Sequence, residues 1–354
     1  MIGPQRPTYE VELFDNNGTA LGDITSFVQK LSYSQEVNES EELNFSIDLH
    51  KFQELAESLG VADPNVLLEE YATDVKIKRN GEYMLGTHVD SIGDDVGEDS
   101  ATISVTARGY LSFFEKRNLT KSYPLTLDST AIARDMIMQT QSRPRGDFGV
   151  RLQPGGYASG VRRDMNYQDA EIKRELISLA ESGYGPFEFA FTHDKKFQTY
   201  EQLGSDKALW LVYGDNLTGI TVDRLGSRRY NYIQGLGSGF GSDMLRQVAE
   251  DPVDQIRHYL REKSVQFNSV TNTTTLFQNA MSELLLATSP AIPIVKTNTT
   301  KLRGQLPSLG DTIHLDVNRL PYLAKYSGTY RIIKIDVRLD DGGEEEISLY
   351  LGAA

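Results

Sequence analysis

The chain contains no cysteine among its 354 residues and only one tryptophan and five histidines. The missing cysteine excludes a disulfide framework, a thiolate nucleophile, an iron–sulfur cluster and cysteine-ligated zinc. No stretch approaches the roughly 18 apolar residues of a membrane-spanning helix, and the start of the chain lacks the apolar centre of a signal peptide. We therefore expect neither a membrane segment nor a cleaved secretion signal.

Basic residues are scarce relative to acidic ones. The 36 Lys and Arg against 50 Asp and Glu give a formal charge of −14. Such a surface repels phosphate, so a broad basic face for nucleic acid is disfavoured. We expect at most transient passage of DNA without specific binding.

The motifs of common enzyme classes are also missing. No Gly-Lys dipeptide exists for a phosphate-binding loop, and no two histidines have the spacing of a zinc-protease helix. The glycine-rich run 235–241 does not have the glycine spacing of a dinucleotide site. Neither Ser159 nor Ser238 lies in a Gly-x-Ser-x-Gly motif. We expect no catalytic residue, no cofactor and no metal site.

Acidic pairs are abundant, at Asp94-Asp95, at Asp340-Asp341 and in the run 344–346. A glycosidase needs only two carboxylates about 5–10 Å apart, so their abundance discriminates little. All lie near glycine in predicted hairpin tips, where solvated charge is expected. The single tryptophan, Trp210, lies in an apolar strand pattern and is predicted to be in the core.

Apolar residues recur with two different periods along the chain. Alternation in 9–14, 43–49 and 102–107 predicts strands, while spacings of three and four in 49–59 predict a short helix. The pattern predicts a β-rich α+β protein in four parts. These are a first β-barrel (1–118), an α+β domain (119–213), a second β-barrel (214–245 and 299–354) and a mainly helical insert (246–298).

One internal repeat supports two copies of the same barrel. Residues 89–105 and 335–349 share the order of a strand, an acidic hairpin tip and a second strand. In this match Asp94 and Asp95 correspond to Asp340 and Asp341, and Ile103 and Val105 correspond to Ile347 and Leu349. We predict that the four aspartates lie at the exposed tips of two equivalent hairpins.

The order of these features resembles the tail-tip or baseplate hub proteins of long-tailed bacteriophages over nearly the whole chain. The phrases that carry the resemblance are YSQEVNESEELNFSI (33–47), ARGYLSFFEKR (107–117), a helix at 168–182, YNYIQGLG (230–237), LGDTIHL (309–315) and YRIIKIDV (330–337).

The resemblance implies a structural virion protein without enzymatic activity. Hubs of this family carry two tail-tube-like β-barrels per chain, so that a homotrimer matches a hexameric tail tube. The resemblance implies that both barrels of this chain are tube-like and that Asp94, Asp95, Asp340 and Asp341 lie at the ring. The implied partners are further copies of the chain, the tail tube or distal tail hexamer, the tape measure protein, and central spike or fibre proteins. The implied location is the distal end of the tail, after assembly in the host cytoplasm.

Two other functions stay open on the sequence alone. The acidic pairs allow a carboxylate-based glycosidase acting on the host surface. The 18 Tyr and 14 Phe allow a glycan-binding module.

Overall fold

The computed structural model describes residues 6–97, 101–182, 185–224, 226–288, 291–340 and 343–354. Strands account for 44% and helices for 23% of the structure, which confirms the β-rich α+β class. No helix within these ranges is long and apolar enough to span a membrane.

The first part of the chain forms strands because apolar residues alternate along it. Leu43, Phe45 and Ile47 are buried on one side of their strand, as the pattern predicts. The hairpin turn at Asn80 and Gly81 has φ angles of 55° and 83°, the left-handed conformation that these residue types tolerate. The elements are β1 (Tyr9–Asp15), β2 (Ala20–Asp23), β3 (Val28–Glu36), β4 (Glu42–Asp48), α1 (Leu49–Ser58), β5 (Thr73–Arg79), β6 (Glu82–Val96) and β7 (Ala101–Gly109).

The middle part packs two helices against two small sheets. Ile132, Met136 and Ile137 of one helix and Leu176 of the other are buried in a shared apolar cluster, consistent with their helical spacing. The elements are β8 (Asn118–Tyr123), α2 (Ser129–Gln141), β9 (Arg151–Leu152), β10 (Met165–Glu171), α3 (Ile172–Ala180), β11 (Glu188–Phe191) and β12 (Lys196–Tyr200).

The last part returns to long strands and contains a smaller sheet with two helices. The elements are β13 (Asp206–Val212), β14 (Gly219–Arg224), β15 (Tyr232–Leu236), β16 (Arg246–Glu250), α4 (Pro252–His258), β17 (Glu262–Gln266), α5 (Thr273–Thr288), β18 (Ala291–Asn298), β19 (Thr312–Asp316), β20 (Gly328–Leu339) and β21 (Glu345–Ala353).

Thirteen strands from both ends of the chain form one continuous sheet. Its order is β14-β18-β21-β20-β3-β4-β7-β6-β5-β1-β2, with β19 beside β20 and β13 beside β19. No sheet among the described strands closes into a barrel, so two separate closed barrels are not observed. The reason is that β3 pairs with β20, which joins the two halves edge to edge.

The two halves of this sheet repeat the same strand order. The first half runs β3-β4-β7-β6-β5-β1 and the second runs β14-β18-β21-β20-β19-β13, and equivalent strands also follow each other in the same order along the chain. The repeat predicted around residues 89–105 and 335–349 is therefore confirmed at the level of strand order. One difference is that β1 is antiparallel to β5, whereas β13 is parallel to β19.

Buried apolar residues form three clusters. The largest takes residues from 11–107 and 211–351, so the two halves of the large sheet share one core. The second lies within 110–197 and the third within 233–284. The four-part division of the chain stays a prediction.

The insert is not mainly helical, contrary to the sequence-based prediction. β16 and β17 flank β15 in a three-stranded sheet, and α5 packs on it through Ala280 and Leu284. Pro252 begins a helix of only seven residues, and most of the predicted helical span before α5 is strand or loop. The prediction was also wrong for β18, which pairs with β14 and β21 in the large sheet.

Candidate functional site: the polar face of the large sheet

Alternation along five neighbouring strands gives the large sheet two unlike faces. Tyr33, Phe45, Val105, Val337 and Leu349 are buried on the core side. The residues between them point to the other side, because successive side chains of a strand alternate. This opposite side, the polar face, carries Ser32, Ser34, Asn44, Ser46, Ser104, Thr106, Asp336, Arg338, Glu346 and Ser348.

The polar face is grooved rather than flat. A cleft of about 560 Å³ and a neighbouring one of about 420 Å³ share Ser32, Asn44, Arg338 and Glu346. A third cleft of about 230 Å³ continues along Ser34, Glu36, Glu39, Glu42, Arg108, Lys173 and Lys334. Five strands, β3, β4, β7, β20 and β21, therefore line one extended polar surface.

Charged groups along the third cleft pair with each other. The Lys334 ammonium lies 3.7 Å from Glu36 and 3.8 Å from Asp336. Lys173 lies 3.1 Å from Glu39 and 3.0 Å from Glu115. These charges are largely neutralised within the protein, which leaves little net attraction for a polyanion.

The Glu115 carboxylate shows this pairing most strongly. The hydrogen bond from Arg108 has the largest effect on its pKa and lowers it; burial opposes this, and a further hydrogen bond from Lys173 helps to bring the pKa to about 2. It is ionised at neutral pH and belongs to an ion-pair network rather than to an acid–base site. No cluster of three or more potential metal ligands exists among the described residues.

The structure places the four predicted acidic residues differently in the two halves. Asp94 and Asp95 are exposed in β6, opposite Ile103 and Thr102. Asp340 is exposed in the turn after β20, where its side chain accepts a hydrogen bond of 2.8 Å from the Glu344 amide. Asp341 lies outside the described residues.

The match of Asp94 with Asp340 is shifted by three residues. Val105 lies opposite Ile92, and Leu349 lies opposite Ile335. Since Val105 corresponds to Leu349, Ile92 corresponds to Ile335 and Asp94 to Val337. The sequence match assumed hairpin arms of equal length, but the β6 ladder has a bulge after Val89 and continues to Val96.

A buried ion pair that the sequence did not reveal connects the two halves of the large sheet. The Glu345 side chain is fully buried, and its carboxylate oxygens accept hydrogen bonds of 2.6 and 2.9 Å from Arg79 in the first half. The hydroxyl groups of Tyr9 and Thr299 also donate to it. Burial raises the pKa of this carboxyl, but the hydrogen bonds from Arg79, Thr299 and Tyr9 outweigh burial and lower it.

This finding corrects the expectation that the run 344–346 is solvated. Glu345 begins β21 and points inward, while Glu346 lies on the polar face. No spacing in the sequence distinguishes the middle glutamate from its neighbours until the strand register is known.

A second buried pair fixes the middle part to the second half. Arg331 donates two hydrogen bonds of 2.6 Å to Glu188 in the two-pronged geometry of guanidinium and carboxylate. A third pair joins the middle part to the first half, with Lys195 lying 2.7 Å from Asp74. These pairs connect the middle part of the chain to both halves of the large sheet.

The prediction that Trp210 is a core residue is wrong. Its side chain is 54% exposed on β13, and its ring stacks on His314 at a centroid distance of 4.6 Å. β13 pairs only with β19 among the described strands, so its outward face has no second layer.

No family model matches this chain, and no curated protein matches it by sequence. Solved structures do match it over nearly its full length. A tail protein from Neisseria meningitidis has a TM-score of 0.65 at 12% identity, covering 98% of this chain and 96% of that one. The 43 kDa tail protein of prophage MuSo2 from Shewanella oneidensis has a TM-score of 0.67 at 14% identity, covering 98% of both chains.

A third match comes from a secretion machine. A component of the Escherichia coli type VI secretion system, itself described as similar to bacteriophage T4 tail proteins, has a TM-score of 0.54 at 10% identity. The match covers 92% of this chain and 74% of that one. The chain therefore has the fold of bacteriophage tail proteins, and the resemblance to the tail hub family is confirmed at the level of the fold.

Proposed function

We propose that this protein is a structural component of a phage tail, a homotrimeric hub ring at the tail tip that closes the tail tube and forms part of the DNA exit channel. The repeated strand order along one polar face, in a chain with the fold of tail proteins, is the observation that carries the proposal. Two equivalent halves per chain let three chains present six similar positions to a hexameric tube.

In this proposal the polar face lines the channel. Its hydroxyl and amide side chains keep a layer of water, and its Lys334 and Lys173 are already paired with carboxylates. A passing duplex therefore meets neither a basic patch nor an exposed apolar surface. The exposed Asp340, which lines the first cleft, and the exposed Asp95, which shares the side of Thr102, add repulsion that favours transit over binding. Asp94 lies on the side of Ile103 instead.

The proposal includes the partners and location that the resemblance implies. The chain contacts two further copies, the tail tube or distal tail hexamer, the tape measure protein, and central spike or fibre proteins. It acts at the distal end of the virion tail after assembly in the host cytoplasm, and it has no catalytic role.

The mass of the purified protein in solution tests the ring. Three copies of the 39.6 kDa chain give 118.8 kDa by light scattering, and negatively stained particles should show rings. A protein that stays monomeric at every concentration and is absent from tail tips in labelled particles contradicts the proposal.

A glycan-binding module is the second candidate, favoured by the exposed Trp210 beside His314. Aromatic side chains of this kind can bind the apolar face of a sugar ring. Retention of the isolated monomer on host cell wall favours this function. Release of sugars that depends on Asp or Glu side chains favours a glycosidase instead.

A further inference from the structure

Within one chain, β20 of the second half pairs with β3 of the first half, and we call this contact the internal junction. Two other strand edges of the large sheet correspond to the two sides of this junction but pair with no described strand. Residues 328–331 of β20 pair with β19, and residues 334–338 of the same edge pair with β3. In the first half, residues 82–88 of β6 pair with β5 in the same way. Residues 91–96 continue this edge and pair with β7 on one side, but on the side that β5 occupies earlier in β6 no described strand pairs with them.

The matching free edge lies at the other end of the sheet. β14 is the equivalent of β3, and it pairs with β18 on one side only. An unpaired strand edge presents backbone donors and acceptors to any complementary strand. Each chain therefore has two unpaired strand edges that correspond to the two strands of its internal junction.

We propose that β14 of one copy pairs with residues 91–96 of the next copy, antiparallel and in the register of the β3–β20 junction. This proposal deepens the proposed ring, on which it rests, by naming the surface and register that join its subunits. Such a contact is head-to-tail, and a head-to-tail contact between identical chains closes into a ring when the rotation allows it.

The ladders of the two halves define the register. Leu31 lies opposite Phe45, and Phe45 opposite Val105. Ile220 lies opposite Val295, and Val295 opposite Leu349. Since Val105 corresponds to Leu349, Leu31 corresponds to Ile220.

The residue pairs of the internal junction then predict which residues lie opposite each other between two copies. Arg338 pairs with Ser32 within the chain. The corresponding pair joins Asp95 to Thr221 of the partner subunit. Gly93 and Asp94 correspondingly lie opposite the partner subunit's Asp223 and the partner subunit's Val222.

Burial supports a missing strand at this position. Ile335 and Val337, which β3 covers, are 1% and 2% exposed. Their counterparts are more open, because Ile92 is only partly buried and Asp94 is exposed. Val96 is 66% exposed, and in the proposed register it lies opposite Ile220 of the partner subunit.

Engineered cysteines test the register directly, because the natural chain contains none. Directly opposite residues have Cα atoms about 4.5–5.5 Å apart, within the range for a disulfide. D95C and T221C chains are mixed and oxidised, so that any disulfide between the two different cysteines joins two copies. The expected product is a 79.2 kDa pair of 39.6 kDa chains, and the D95C/T221C double variant should give linked products ending at three chains.

Two control variants accompany this experiment, one expected to form a disulfide and one expected not to. R338C/S32C should form a disulfide within one chain, because those residues are already paired. D95C/V222C should form none, because a shift of one residue places the two thiols on opposite faces.

Each outcome separates the register from the ring. A 118.8 kDa trimer in which R338C/S32C oxidises but D95C/T221C does not overturns the register and leaves the ring standing. Equal crosslinking of D95C/V222C also overturns the register. A chain that stays monomeric and does not crosslink overturns both proposals.

Discussion

At the residue scale, the Glu345–Arg79 pair connects the two halves of the large sheet through a buried ion pair. Both side chains are largely removed from water, at 0% and 12% exposure. Removing one member of a buried pair leaves an uncompensated charge, which costs more than the intact pair contributes.

We expect Glu345→Gln to lower the free energy of unfolding by about 3 kcal/mol at neutral pH. The matched control is Asp194→Asn, which breaks an exposed pair with Lys196 and should cost about 0.5 kcal/mol or less. Urea unfolding at pH 7 measures both variants. Equal stability of the two variants contradicts the role assigned to Glu345.

The same residue predicts a pH dependence. Its folded-state pKa is lowered, so its contribution is present above the ordinary glutamate pKa of about 4.3 and is lost as the pH falls through the folded value. The natural protein should therefore lose stability below about pH 5 more steeply than the Gln variant. Parallel curves for the two proteins contradict this assignment.

A second residue-scale prediction concerns Asp95 in the proposed junction. In the proposed junction, Asp95 occupies the position that Arg338 has in the internal junction. Asp223 of the partner subunit occupies the position of Ser34, which is the diagonal neighbour. Two carboxylates on one face repel each other, so Asp95→Arg should favour association by about 0.5 kcal/mol per junction, roughly two-fold in its equilibrium constant.

Light scattering over a dilution series measures this change in association. Asp95→Asn is the control and should lie between the natural chain and the Arg variant. The difference should shrink at high salt, where screening is strong. Weaker association of the Arg variant contradicts the proposed register.

At the scale of secondary-structure elements, the small sheet of β15, β16 and β17 and the helix α5 share a small core of their own, apart from the core of the large sheet. Arg224 at the end of β14 lies directly opposite Ala291 at the start of β18. A short Gly/Ser turn in place of residues 226–288 can therefore connect the two strands.

We expect this deletion to leave the large sheet folded, with strand-type circular dichroism and cooperative unfolding. Replacing 246–298 instead removes β18 and exposes the edges of β14 and β21, so that variant should aggregate or unfold. If both deletions behave alike, the assignment of β18 to the sheet is contradicted.

At the scale of the whole molecule, charge on the proposed channel should control how DNA passes. Three chains of −14 each carry −42 in total. Replacing Asp94, Asp95, Asp340 and Asp341 by lysine should leave the ring assembled but slow DNA ejection, most clearly at low salt.

The control replaces four other exposed acids by lysine, so that the total charge changes equally. Glu54 and Glu57 lie on α1 and Glu69 and Glu70 follow it, and α1 packs on the core side of the sheet through Phe52. This control should eject DNA normally. Tight, salt-insensitive DNA binding by the natural protein contradicts the account of the channel.

The sequence by itself determined the fold class, the repeat and most individual strands. Alternation in 43–49 and the Asn80-Gly81 turn depend on neighbouring residues only, so local physics is sufficient to predict them. The order of phrases from 33–47 to 330–337 also identified the tail protein fold, which the solved structures confirm.

Only the tertiary structure decided how these pieces combine. The β3–β20 pairing joins residues about 300 apart, and no local pattern encodes which edges meet. The same holds for buried Glu345, exposed Trp210 and the strands β16 and β18, whose short apolar patterns fit more than one environment. Each depends on strand register and on what covers a surface, and both are properties of the assembled chain rather than of any segment.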